Sequence, residues 1–368
     1  KSPKSIANKI NGPITNLPKE IRSTILDKFA EILPSKYVLL DWIDKNKLNW
    51  MMLSANPNAV DLLENKKDKI DWWGLSSNPN AIDLLKKNYD KINWYALSSN
   101  PNAINLLKER IKYEETLTEE ELDELENKIA WYRLAENPNP NAIELLKKNK
   151  DKIEWITLSK NPNAIELLTN NQDKIDWVWL SSNPNAIDLL KKNYDKINWY
   201  DLSINPNAID LLKERIKYEK SLTNEELENK IDWDNLSRNP NAINLLKERI
   251  KYEKSLTNEE LENKIDWCNL SSNPNAIDLL KKNQDKIDWA ELSLNPNAID
   301  LLKQNQDKID WGILSLNQNA IDLLKKNQDK IKWINLSENP NAIDLFKENQ
   351  DKIDWYQLST NPAIFKAV

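Results

Sequence analysis

Histidine is absent from this 368-residue chain, and glycine occurs three times, as Gly12, Gly74 and Gly312. Without histidine there is no Ser/His or Cys/His pair to activate a nucleophile. Three scattered glycines cannot build a Gly-rich phosphate loop. One cysteine, Cys268, excludes an intramolecular disulfide framework and fits a reducing compartment. No apolar run approaches the ~18 residues of a membrane span, and no secretory signal is visible. Basic charge is short as well: 52 Lys and Arg stand against 58 Asp and Glu, a net charge of −6. A solenoid that tracks nucleic acid needs a basic stripe, so no nucleic-acid partner is expected. The expectation from these absences is a non-enzymatic, intracellular protein with no cofactor, no metal and no membrane contact.

What the chain has is a period. The stretch KIDWWGLSSNPNAIDLLKKNYD, residues 69 to 90, recurs to the C-terminus. Counted on tryptophan, thirteen copies run from Trp50 to Trp355, mostly 22 residues apart. The interval after Trp131 is 24, because Asn139-Pro140 adds an Asn-Pro step. Three copies are expanded, with intervals of 37 after Trp94 and 34 after Trp199 and Trp233. Such a period marks a repeat array, which grows by addition rather than by adding domains.

Each copy reads as two helices. Asn78-Pro79-Asn80-Ala81 suits a helix start, and Ala81, Ile82, Leu84 and Leu85 make one apolar face. Asp83 and Lys87 stand i,i+4 on the opposite face, and Asn88 suits a left-handed stop. Asp90 and its equivalents, from Asn46 to Asp351, read as the N-cap of the other helix. Ile92, Trp94 and Leu97 follow on a short element, α or 3₁₀. Stacking would bury a Trp/Leu/Ile spine, each Trp removing about 150–250 Å² from water. Thirteen units at ordinary helix spacing would give a rod or arc roughly 100–130 Å long. The rival is a leucine-rich repeat, whose frame Ile92, Tyr95, Leu97 and Asn100 fit. It would put polar Asn102 at an apolar position and point the recurring Trp to solvent. The expected fold is all-α: about 13 stacked two-helix repeats of 22 residues, residues 38–368, behind an N-terminal helical cap, residues 1–37. In the cap, Ile21, Ile25 and Phe29 share a helical face between Pro18 and Pro34. Residues 38 to 49 read as a degraded second half-repeat.

The short helix, the Asn-Pro step and the longer helix resemble the leucine-rich-repeat variant fold, which alternates 3₁₀ and α helices. Between Asn49 and Pro362 the unit also resembles uncharacterised 22-residue repeats of mimivirus-type giant DNA viruses. That resemblance implies a viral solenoid scaffold, in the host cytoplasm or the virion, and brings no functional residues. Leu17-Pro18, Glu20-Ile21, Ile25-Leu26 and Trp42 resemble an F-box, which implies a ubiquitin-ligase substrate receptor as an alternative. A self-associating virion component is the other.

Chemistry-bearing groups have plain structural explanations. Cys268 stands alone. Asp285, Asp307, Asp329 and Asp351 recur at the period and could line up as a calcium ladder, but capping accounts for them without a metal. The informative positions are those that vary while their neighbours stay fixed: the two residues after each Trp, and the one before each Asn-Pro. From these we select Trp73, Tyr95, Tyr132, Arg133, Trp179, Tyr200, Arg238 and Tyr356 as candidate protein-partner contacts. They are either a binding stripe or half-buried filler between units. The expanded copies, with KERIKYEKSLTNEELENKIDW twice, would project as a flange, either a docking surface or a tolerated loop expansion.

Overall fold

The computed structural model describes residues 36–219, 229–255 and 264–368. The expected N-terminal helical cap lies outside them, as do the Thr223/Glu226 and Thr257/Glu260 pairs of two expanded copies. The described chain is an α-solenoid of two-helix units, as the period predicts.

One unit shows how the sequence builds all of them. A Trp-led helix spans Trp72–Ser77 and an Ile-led helix spans Ile82–Lys86. A one-turn 3₁₀ helix, Tyr89–Lys91, then leads to the next Trp. Asp71 is the cap of the Trp-led helix: its backbone is extended, and its carboxylate accepts the Gly74 N–H at 2.9 Å. The N-cap is therefore the residue before Trp, not the Asp three residues earlier. Asp90 and the acids at its place in the other unexpanded copies, including Asp285, Asp307, Asp329 and Asp351, sit in 3₁₀ turns and are exposed. Both positions carry acids or amides, and only the later one precedes free helical N–H groups. Asn88 is not left-handed, at φ −134°, and no described residue has a positive φ. Lys87 pairs with Glu64 of the preceding unit at 2.5 Å instead of Asp83.

The spine is leucine, isoleucine and alanine. Leu75, Ala81 and Leu85 are completely buried, with Ile92 beside them. Most tryptophans are only half-buried, at the edge of this core. A lysine of the following unit covers most of these rings, as Lys69 does over Trp50 at 5.1 Å and Lys330 over Trp311 at 4.7 Å. The indole faces therefore serve as cation–π platforms between units.

Three hydrogen-bonded contacts accompany that stacking. Asn78 ends the Trp-led helix and reaches back to the previous unit, donating to the carbonyls of Ser54 at 3.2 Å and Asn56 at 2.9 Å. Ser54 Oγ donates to Trp50 O and accepts the Asp71 N–H of the next unit, both at 2.9 Å. Asn80 donates to Pro57 O at 3.0 Å. The Asn of the Asn-Pro step is thus an inter-unit tie before it is a helix starter. Where Asn139-Pro140 is added, Asn139 does cap a helix directly, Pro140–Lys148.

The two ends of the array make these same contacts with each other. Asn56 donates to Ser359 O at 3.0 Å and Asn361 O at 3.1 Å. Ser359 Oγ accepts the Asn49 N–H at 2.8 Å, Asn58 donates to Pro362 O at 3.0 Å, and Lys47 covers Trp355 at 5.2 Å. The solenoid is therefore a closed ring of thirteen units, not a rod or arc. A full turn shared by thirteen interfaces is about 28° per unit. Closure also removes the exposed end face that an open array must cap.

A strand clasp reinforces the seam. Strand β1, Tyr37–Leu39, pairs antiparallel with β2, Phe365–Ala367, in the register Tyr37↔Ala367 and Leu39↔Phe365. Residues 38 to 49 keep only the end of a half-repeat: β1 and turns stand in place of the helix, Ile43 and Leu48 are buried, and Lys47 and Asn49 repeat the contacts of Lys69 and Asp71. These two strands are the only sheet among the described residues, so the leucine-rich-repeat frame is not used.

The expanded copies lengthen the Ile-led helix to eleven residues, as in Ile104–Glu114, Ile209–Glu219 and Ile243–Glu253. Each carries an arginine that replaces the covering lysine. Arg110 lies over Trp94 at 5.0 Å, and its Nε donates to Glu114 at 2.8 Å. Glu114 in turn accepts the Ile129 N–H at 3.0 Å, fastening the returning chain. Asn127 then grips the unit, accepting the Trp94 N–H and donating to Ile92 O, both at 2.7 Å. Trp94, Trp199 and Trp233 are buried under this strap. In the first expanded copy a further helix, Glu119–Glu124, opens on a capping box of Thr118 with Glu121.

Candidate protein-interaction surface

Each six-residue Trp-led helix lies directly against the next one, whereas the Ile-led helices, one pair excepted, stand further apart. In a closed ring the closer-spaced layer is the inner one. The Trp-led helices therefore line the lumen and the Ile-led helices form the outer layer. With axes about 8–10 Å apart, thirteen inner helices enclose a lumen roughly 20–30 Å wide.

The helical period decides which side chains face it. In Trp72–Ser77, Leu75 and Ser76 point into the core, and Gly74 faces the preceding unit, 3.4 Å from Ala55 N to the position of a Cβ. The residue after each Trp and the one four further on remain on the lumen side. These are two of the three variable positions of the sequence; the third, the second residue after each Trp, is the Gly74 place.

Their exposure separates a binding stripe from filler between units. Trp73 is 51% exposed, Tyr200 54% and Tyr356 49%, and Tyr95, Tyr132 and Trp179 are exposed too. Arg238 is exposed, and Arg133 is half-buried. All eight candidates thus belong to Trp-led helices. Trp73, Tyr95, Tyr132, Tyr200, Arg238 and Tyr356 hold the two lumen-side places, whereas Arg133 and Trp179 hold the Gly74 place and turn towards the preceding unit. Selecting Trp, Tyr and Arg alone missed Met51, Ile156, Val178 and Ile334, which stand directly after their Trp and are exposed too. The position itself was the signal. Through the seam, Ile334, Tyr356, Met51, Trp73, Tyr95 and Tyr132 follow one another, and Ile156, Val178 and Tyr200 extend the row to nine units. The other four units carry Asp234, Cys268, Ala290 and Gly312 there.

Two local clusters shape the wall. The Tyr95 and Tyr132 hydroxyls are hydrogen-bonded, with ring centroids 6.0 Å apart, and the Arg133 guanidinium lies 4.4 Å over Tyr95. The Tyr132 hydroxyl bond, then Arg133, hold the Tyr95 phenol below its usual range. Lys160 stacks on Trp179 at 3.3 Å. Elsewhere burial pushes the Cys268 thiol up, with Asp288 and Glu291 adding to it, the reverse of an activated thiolate. Burial, then Asp176, pushes the Asp201 carboxyl up.

Among the described residues no three Cys, Asp or Glu side chains converge to hold a metal ion. No helix among them is long and apolar enough to cross a membrane. No protein-family model, curated protein or solved structure matches the chain.

Proposed function

We propose that this protein is a non-enzymatic ring scaffold that binds a polypeptide partner on its lumen wall. One observation carries the reading: nine consecutive units place a large apolar side chain in solvent at a position the fold does not need. The remaining four units fold equally well with Asp, Cys, Ala or Gly there. Exposed Trp, Tyr and Met in a row are interface chemistry, and their solvation is costly unless something covers them. The resemblance to giant-virus repeats supports reading the partner as one met in an infected cell or a virion. End-to-end filaments need free end faces, and the seam occupies those of both terminal units. That favours a scaffold over a self-assembling virion component.

A photo-crosslinking amino acid at position 73 should capture a partner in the native cell. The same probe at the outward Asp83 should not. Combined Trp73→Ser, Tyr95→Ser, Tyr200→Ser and Tyr356→Ser should abolish the capture while helical circular dichroism is retained. Undiminished capture by that folded variant would sink the proposal. The adaptor-recruiting alternative rests on residues 17 to 42, of which 17 to 35 lie outside the described residues. It requires co-purification of an F-box adaptor that depends on them.

A further inference from the structure

We infer that the lumen wall at the seam binds an extended, uncharged polypeptide segment with apolar side chains at alternate residues, and that this segment fastens the ring shut. The inference rests on the proposed function and adds the chemistry of the partner.

Charge selects the place. In the four units led by Trp355, Trp50, Trp72 and Trp94, none of the three variable positions of the Trp-led helix carries a charge. Tyr356, Met51, Trp73 and Tyr95 form a ridge there. The other variable positions of these units are Gln, Met, Gly, Ala, Ser or Thr. Nowhere else do even two adjacent units lack a charge at these positions. Arg133, Lys160, Asp201, Asp234, Glu291 and Glu338 occupy these positions in the rest of the ring. The chain's two methionines, Met51 and Met52, both stand in this stretch, and thioethers adapt to varied apolar shapes. A charged segment would lose hydration here without gaining a counter-ion.

Spacing and curvature select the conformation. Successive ridge side chains at Tyr95 and Tyr132 are 6.0 Å apart between ring centroids. Same-face residues of an extended chain recur every ~6.6 Å, against ~9.3 Å per turn for polyproline II. A straight α-helix has a comparable rise per turn. It cannot follow a concave wall that turns about 28° at each unit, and in a lumen roughly 20–30 Å wide it would touch few units. An extended segment can lie along the arc.

The seam makes binding and closure one equilibrium. It is the single interface of the ring with no peptide chain through it, and the ridge is continuous from Tyr356 to Met51 only when it is closed. A ligand that touches both sides binds the closed ring better and must, by linkage, favour closure.

The test uses the full chain with Cys268→Ser, Tyr37→Cys and Ala367→Cys. Positions 37 and 367 are directly opposed in the clasp. The bonds Leu40 N–H to Ile364 O and Val368 N–H to Lys36 O put them at a non-hydrogen-bonded pair, where side chains approach closely. The probes are two end-blocked fluorescent nonapeptides of Leu and Ser, one alternating and one of equal composition in a helical pattern. Binding is read by anisotropy, and closure by the rate of disulfide formation. The alternating peptide should bind at least roughly tenfold tighter than its isomer, and Trp73→Ser with Tyr356→Ser should weaken it roughly tenfold. Saturating alternating peptide should speed disulfide formation severalfold, and the oxidised ring should bind it at least as tightly as the reduced one. Equal affinity for the two peptides, or an unchanged rate of disulfide formation, would overturn the inference. If neither peptide binds while position 73 still captures a protein, the extended-segment chemistry is wrong and the proposed function stands. If position 73 captures nothing, both fall.

Discussion

The side-chain amide of Asn56 donates to the backbone carbonyl of Asn361, 305 residues further along the chain, at 3.1 Å. It repeats the bond that Asn78 makes to Asn56 at 2.9 Å. Both donors are buried, with about 1% of their surface exposed. In an open array the first unit would have no such partner, and Asn56→Ala would cost little. In the ring it leaves the Ser359 carbonyl unpaired and takes one of two donors from Asn361 O, as Asn183→Ala does to Ser159 and Asn161 in mid-chain. Each should cost about 1–3 kcal/mol per unpaired group. The two variants should shift the thermal midpoint by similar amounts. A near-silent Asn56→Ala beside a damaging Asn183→Ala would mean that the seam is not formed.

Closure also fixes the shape. Phe365 in β2 is buried at 6% exposure, opposite Leu39. Phe365→Asp would put an unpaired carboxylate into the clasp, which is costly unless the clasp separates. The wild type should scatter X-rays as a compact ring. The variant should lengthen towards the roughly 100–130 Å of an open arc with its helix content kept. Identical maximum dimensions would show that the clasp does not hold the seam.

Arg110 and Lys69 cover tryptophans alike, but they should differ sharply when removed. Lys69 covers a half-buried ring from an exposed position, so Lys69→Ala should cost about 0.5–1 kcal/mol. The Arg110–Glu114 pair has side chains only 11% and 5% exposed. Arg110→Ala strands a buried carboxylate that also holds the Ile129 N–H, and should cost about 3–5 kcal/mol. Adding Glu114→Gln should recover part of that loss, because the amide oxygen still accepts while the charge is gone. Denaturation midpoints of the three variants would check this. A Glu114→Gln addition that worsens Arg110→Ala would refute the stranded-charge argument.

The units were legible in the sequence because each is specified locally: Trp and Leu three apart, Asn-Pro between helices, Leu pairs on one face. The variable positions were legible because the fixed ones already exhaust the packing rules. Ring closure was not, since it depends on the angle added at every interface, and no single unit encodes a sum over thirteen. The role of Asn56 and its equivalents was misread for a related reason. An Asn before Pro has a sufficient local explanation as a helix starter, and its amide donor finds its partners only in a neighbouring unit. The cap was displaced by three residues because Asp68 and Asp71 are chemically the same signal. Only the backbone shows that Asp71, extended at ψ 108°, precedes the free N–H groups.

Asp201 gives the lumen wall a pH signature. Its carboxyl is raised above the ordinary 3.8, by burial first and then by the nearby Asp176, with Lys160 opposing. A raised acid favours the fold while protonated. Its contribution is fully present below about 3.8 and is lost as pH rises through the higher folded value, where the fold must carry the charge. Asp201→Asn removes that charge without removing the side chain's volume. The variant and wild type should therefore melt together in strong acid. The variant should become the more stable as pH climbs through the carboxylate range, with the full gap reached at neutral pH. Melting curves across that range would test it. A gap independent of pH would show that Asp201 titrates as it does in the unfolded chain, and that this part of the wall is as open to water as the exposed ridge beside it.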